Sequence, residues 1–192
     1  MGMGLMFTII AAALVIGGVG AETLEAGGVK RGNALFLLLS IAALSGFRLH
    51  VSDRFAVSPA ALLAGAALIA FAVKRGGRAS LAPPFAALAG MALQILPIPL
   101  PGALTPVCAA LCAASAFGGA PFSMTFAALT PIFALAARYV AEAALTGYAF
   151  LDLTDSALSA QMAGMIVGAC LSIAFSRSRT TVRKLSDDRT NN

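Results

Sequence analysis

Seven apolar stretches follow one another along this 192-residue chain and restrict what it can fold into. They cover residues 5–21, 34–47, 55–73, 81–98, 104–118, 122–145 and 157–175. A helix that crosses a bilayer needs about 20 mostly apolar residues, with a range of about 17–25. Several stretches reach that range, and the shortest, 34–47, can be extended by Arg48 snorkelling to the interface. Composition points the same way, with 59% hydrophobic and 11% charged residues. Ordinary soluble domains carry about 45–50% apolar and about 25% charged residues. A water-soluble globule of this size needs far more charge to cover itself. The expectation is an all-α, polytopic transmembrane helical bundle of about seven spans, with six as the alternative. A soluble enzyme, a disordered chain and a disulfide scaffold are excluded.

Net charge is +5, which in a soluble domain would suggest nucleic acid. Here the basic residues sit in loops and the tail, so they carry topology information instead, and no nucleic-acid partner is expected. Lys30/Arg31, Lys74/Arg75/Arg78 and the tail (Arg177, Arg179, Arg183, Lys184, Arg189) form the basic clusters. Placing them in the cytoplasm leaves Arg48 and Arg54 outside and Arg138 inside a span. This puts the C-terminus in the cytoplasm and the N-terminus outside. Tyr139 and Tyr148 then fall near the outer interface, where an amphipathic ring is at home. Residues 1–175 read as the transmembrane helical domain, and 176–192 as a basic polar cytoplasmic tail, disordered beyond its first turn.

Val19-Gly20-Ala21 before Glu22 has the small residues of a signal-peptidase site, but no Lys or Arg precedes it, so a retained first helix is the expectation. Cys108, Cys112 and Cys170 all lie in apolar stretches. Cys108 and Cys112 share a helix face, yet the single His50 is far away, so they read as packing residues without metal or redox role.

Two packing ridges stand out. Ala160, Gly164, Gly168 and Ser172 recur every four residues in the last stretch, with Gly164 and Gly168 forming a GxxxG match. Pro106, Ala110, Ala114 and Gly118 do the same in the fifth. Membrane helices approach closely through such residues, here expected within the bundle rather than between copies. Prolines crowd the second half: Pro97-Ile-Pro-Leu-Pro101 reads as a tight extended turn, and Pro131 as a kink in the sixth helix.

The polar residues most able to act are Arg138 and Glu142, four apart on one helix face. Charges in lipid are costly unless paired or hydrated, so a pair near the outer end is expected. Asp152 and Asp155 follow in the same outer loop. Together they form a candidate ion or substrate gate or docking surface; the plainer reading is an interfacial salt bridge with Asp155 or Ser156 capping the last helix. Gln94 and Gln161 lie within spans and can hydrogen-bond across helices. No phosphate-binding loop, zinc-protease motif, nucleophile elbow or dinucleotide fingerprint is present, so no enzyme activity and no cofactor are expected.

The order of features resembles a known family. A short first span and a small charged loop lead to Ala34-Leu-Phe-Leu-Leu-Leu-Ser-Ile. Phe47-Arg-Leu-His-Val-Ser and another span follow, and late in the chain come Glu142, Gly147-Tyr-Ala-Phe-Leu-Asp152 and a final helix. This layout is similar to the YphA-type integral membrane proteins of endospore-forming Firmicutes, over most of the chain to about residue 175. The resemblance implies a non-enzymatic role in spore envelope assembly, in the cell membrane, with lipids and other membrane proteins as partners. It assigns no catalytic residue. The other function class open to the chain is a small-solute transporter or substrate-binding membrane subunit, with Arg138, Glu142, Gln94 and Gln161 lining a polar cavity.

Overall fold

A computed structural model describes residues 2–18, 24–25, 29–95, 105–116 and 119–190. The chain is mostly helical. In order it forms α1 (Met3–Ile16), α2 (Arg31–Leu44), β1 (Leu49–Ser52), β2 (Phe55–Val57), α3 (Pro59–Arg75), a 3-10 turn (Gly77–Leu81), α4 (Ala82–Ile95), α5 (Thr105–Ala116), α6 (Ala120–Thr146), β3 (Leu151–Leu153) and α7 (Asp155–Thr190). Prolines open α3 and α6, at the helix start where the missing N–H had no intrahelical partner to lose. Gly147, at φ 69, ends α6 in the left-handed conformation that glycine adopts without a Cβ penalty.

Each expected apolar stretch contains a helix; α1 and α3 are shorter than their stretches, α6 and α7 are longer, and α4 and α5 reach the limits of the described residues. α1 and α2 have 14 residues each, or about 21 Å of helix against a hydrocarbon core of about 30 Å. Among the described residues, only the segment Pro121–Thr146 is by length and composition enough to cross a membrane alone. Met3–Ile16, Arg31–Leu44 and Asp155–Leu171 are apolar but shorter. Among the described residues the helices therefore do not provide seven full-length spans.

Three other expectations are corrected or left open. The stretch expected to be helical from residue 55 begins as a strand, and α3 starts only at Pro59. The last helix does not stop at residue 175 with a disordered tail after it: α7 runs on to Thr190. No glycine or proline follows Gly168, so nothing in the backbone chemistry stops the helix there. The Pro97–Pro101 turn lies outside the described residues.

The strands form a small sheet of order β1-β2-β3. β1 and β2 pair antiparallel, while β2 and β3 pair parallel with Ala56 opposite Asp152. Ser58 N–H donates to the Leu153 carbonyl at 2.9 Å, and Leu151 N–H to the Arg54 carbonyl at 2.9 Å. The sheet thus ties the α2–α3 connection to the α6–α7 connection at one end of the bundle, the sheet end. Lys30, Arg31, Lys74 and Arg75 lie at the far ends of α2 and α3, the basic end. There Arg31 donates its guanidinium to the Ile16 carbonyl and closes the last turn of α1. Phe122 stacks on Phe126 at 5.7 Å and meets Phe85 edge-on at 6.5 Å, joining the starts of α4 and α6.

The core is built of small residues. Ala60, Ala82, Ala86, Ala110, Ala127, Ala128 are fully buried. So are the hydroxyls of Thr8 and Thr130, each bonded to a carbonyl one turn earlier in its own helix. Many of the larger apolar side chains point outward: Phe36 is 74% exposed, Leu39 64%, Leu88 63% and Met91 57%.

α6 is central and its neighbours reach it through glycine. A Cβ on Gly90 of α4 would stand 2.7 Å from the Ala134 nitrogen. On α7, a Cβ at Gly164 would stand 2.4 Å from the Ala127 carbonyl oxygen, and one at Gly168 2.7 Å from that of Ser123. Pro131 has no N–H to give the carbonyl four residues back, which is that of Ala127. The helix therefore exposes that carbonyl where Gly164 closes on it.

Gly164→Val should drive two backbones apart and destabilise the protein by about 1–3 kcal/mol, the usual range for overpacking a tight core. Gly32→Ala, with nothing within 4 Å of the new methyl, is the matched control. Thermal unfolding of detergent-solubilised protein by circular dichroism checks this; equal melting temperatures for Gly164→Val and Gly32→Ala would refute the close approach.

Candidate functional site

The candidate charged residues gather at the sheet end. Arg138 and Glu142 lie one turn apart on α6, and Arg138 Nε donates to Glu142 Oε1 at 2.6 Å. Their side chains are 67% and 43% exposed, so the pair sits on the rim rather than inside the bundle. Exposed pairs of this kind contribute about 0–1 kcal/mol. Below them α6 unwinds: Thr146 Oγ1 donates to the Glu142 carbonyl at 2.7 Å and accepts from Tyr148 N–H at 3.2 Å. The Arg54 guanidinium lies 5.1 Å from the centre of the Tyr148 ring, a cation–π contact that joins the β1–β2 turn to the segment after α6.

Asp155 has another role than capping its own helix. It stands in the first turn of α7, and its Oδ1 accepts from Gly4 N–H of α1 at 3.1 Å. The first N–H groups of a helix have no intrahelical partner, and the helix dipole there favours negative charge. Asp155 thus caps α1 from across the bundle. Gly2 and Gly4 make this possible, because a Cβ on either would lie within 3 Å of the carboxylate. Thr154 is the residue that opens α7, accepting from Leu158 N–H at 3.1 Å. The glycines at positions 2 and 4 were the available sequence signal, but nothing local links them to a residue 151 positions away.

A cleft of about 660 Å³ opens between the starts of α1, α5 and α7 and the second half of α6. Arg138, Asp155, Ser156, Ser159 and Thr105 supply its polar groups, and Phe7 and Pro131 part of its apolar wall. Arg138 is the one cation and Asp155 the one anion among these lining residues. Such a cleft can hold a small polar group against one guanidinium.

The other candidates lie elsewhere. Asp152 occupies β3 opposite Ala56, and its side chain lies outside the described residues, as does that of Gln94 in α4. Gln161 is buried on α7, with its Nε2 3.2 Å from where a Cβ of Gly65 would be. Glycine at 65 leaves room for the amide, yet Oε1 has no hydrogen-bond partner among the described residues. The expected cross-helix bond is not made by that oxygen. Gly164 and Gly168 face α6 within the same chain. Among the described residues no group of three or more His, Cys, Asp or Glu side chains gathers to hold a metal. Cys108 and Cys170 are free thiols, and Cys112 is in no disulfide.

Asp155→Ala should cost about 1–2 kcal/mol, as loss of a helix cap does, because it strands the α1 N-terminus. Arg138→Ala and Glu142→Ala should each stay within about 0.5 kcal/mol of wild type. Chemical or thermal unfolding of the three variants checks the ranking; a costlier Arg138→Ala would show that the rim pair holds the fold.

Neither protein-family models, nor curated proteins, nor solved structures gave a match to this chain.

Proposed function

We propose that this chain is a multi-pass integral protein of the cell membrane with a non-enzymatic structural or assembly role. The observation that carries this is the reversed distribution of side chains. Many leucine, isoleucine, methionine and phenylalanine side chains are exposed, while alanine and hydroxyl residues make up most of the core around a few larger ones such as Ile41, Leu158 and Met162. In water that surface would be a large apolar patch of the kind that marks an interaction or aggregation site. In lipid it is the expected arrangement, since tails solvate large apolar side chains and helices pack through small ones.

Charge supports the same reading. No Asp, Glu, Lys or Arg occurs between residues 79 and 137 or between 156 and 176. The basic end holds Lys30, Arg31, Lys74, Arg75 and Arg78 with Glu25, whereas Arg48, Arg54 and Arg138 at the sheet end are accompanied by Asp53, Glu142, Asp152 and Asp155. With the positive-inside bias, the basic end and the C-terminus are cytoplasmic and the sheet end is external. Seven spans then require a thin apolar band, met by short helices and flanking interfacial residues.

The assembly role is favoured over a carrier by the placement of the polar groups. A solute path would draw Arg138, Glu142 and Gln161 into one cavity. Instead Arg138 and Glu142 pair on the rim, and Gln161 is buried away from the cleft. The cleft itself is the feature that favours the second reading, a small-solute transporter or substrate-binding subunit. The spore envelope as the place of action rests on the resemblance to YphA-type proteins.

Deletion of the coding sequence in the native host tests the role. Normal vegetative growth with few or defective heat-resistant spores is the expected result. Normal sporulation, or a growth defect that depends on a nutrient, would overturn the assembly reading in favour of uptake. In the same host, Arg138→Ala should accumulate in the membrane and leave spore counts unchanged.

A further inference from the structure

A second cavity lies at the basic end, away from the polar cleft. It has a volume of about 280 Å³ and is walled by α1, α2, α3 and α7, with Met124 of α6 behind them. Leu14, Leu37, Phe71, Met162 and Met165 give it an almost wholly apolar lining. Methionine side chains are flexible and polarisable, and suit an apolar occupant without fixed shape. The volume is close to the lower end of the roughly 300–1,000 Å³ typical of ligand sites.

The mouth has the opposite character. Val29 and Asn33 line it and bracket Lys30 and Arg31 in sequence. Arg31 is held in place by its bond to the Ile16 carbonyl, next to Val15 of the cavity wall. A guanidinium carries five N–H donors in a planar fork, so one bond leaves donors for a further acceptor. Phe71 stands one turn before Lys74 and Arg75 on α3. Glu25 is the one carboxylate described in the loops of this end.

We propose that this cavity holds an acyl chain of an anionic membrane phospholipid, with the phosphate at Arg31 and Lys30. The proposal rests on the membrane reading, which puts the mouth at the level of the cytoplasmic headgroups, where anionic lipid is concentrated. An apolar slot alone would take any chain. The cations at its mouth select the charged headgroup, through charge-assisted bonds to phosphate oxygens.

Cys170 provides the readout, because it is exposed, free and part of the cavity wall. Full-length protein carrying Cys108→Ala and Cys112→Ala keeps it as the sole thiol. The protein is placed in nanodiscs of phosphatidylcholine, with or without phosphatidylglycerol, and alkylation by N-ethylmaleimide is followed by intact mass. Phosphatidylglycerol should slow alkylation about fivefold or more, the preference expected from even one basic side chain at a headgroup. Arg31→Gln combined with Lys30→Gln should remove that difference. Equal rates in the two lipids, or slowing that survives the double substitution, overturn the proposal while leaving the membrane reading intact. A chain that stays in the aqueous fraction and does not enter discs overturns both.

Discussion

Close approach of α6 and α7 is the contact on which the rest of the bundle depends. Two helices can come this near only where one of them lacks side chains, and Gly164 and Gly168 supply that bare strip. The gain is in dispersion: backbone atoms meet at short range along several turns, and each contact is small while the sum is large. Pro131 fits the same logic. A proline inside a helix costs a hydrogen bond and distorts the turn before it. Here it lies where α7 covers the affected carbonyl, so the exposed acceptor is sheltered by the glycine face. With α7 fixed against α6, Asp155 is brought to the start of α1, and Leu158 and Met162 are set against α3 in the Ala60–Ala64 cluster.

The two ends of the bundle solve different problems. At the sheet end, connections between helices are tied by backbone hydrogen bonds, a cation–π contact and a carboxylate that caps a neighbouring helix. These interactions are directional and hold the ends of α1, α3, α6 and α7 in register. The basic end is closed by aromatic rings and by Arg31 on the last turn of α1. Lys30 and Arg31 lie in sequence between Val29 and Asn33, which line an apolar cavity. The sheet end thus carries charges of both signs and the basic end mostly cations, the asymmetry that the proposed contact with anionic lipid expects.

The helical layout was legible in the sequence because it depends on apolar runs, and every run contains a helix. The α7 glycine strip was also legible, since spacing by four puts Gly164 and Gly168 on one face whatever the partner. What could not be read was anything set by distant pairing. β1 to β3 have only three or four residues each, and β3 is paired parallel to a strand about a hundred positions earlier. No local alternation of that length separates a strand from a loop. Asp155 looked like a cap for its own helix because its partner, Gly4, is near the other end of the chain. Arg138 and Glu142 share a face as spacing requires, but spacing does not say that the face is the rim.

Helix length bears on how such a protein would meet a bilayer. At about 1.5 Å per residue, α1 with 14 residues spans about 21 Å while α6 with 27 spans about 40 Å. Elements so unequal cannot all match one hydrocarbon thickness. A long helix adapts by tilting, and a short one by drawing its neighbours' polar ends inward or thinning the lipid around it. The β-hairpin and β3 fit this need, since they continue the chain beyond the helices at the sheet end with β2 paired on both sides. A bilayer core tolerates irregular backbone only where protein satisfies it. On the proposed membrane reading the sheet does for α2 and α3 what additional helical turns do for α6, and the same accounting of backbone donors and acceptors suits it to the external interface.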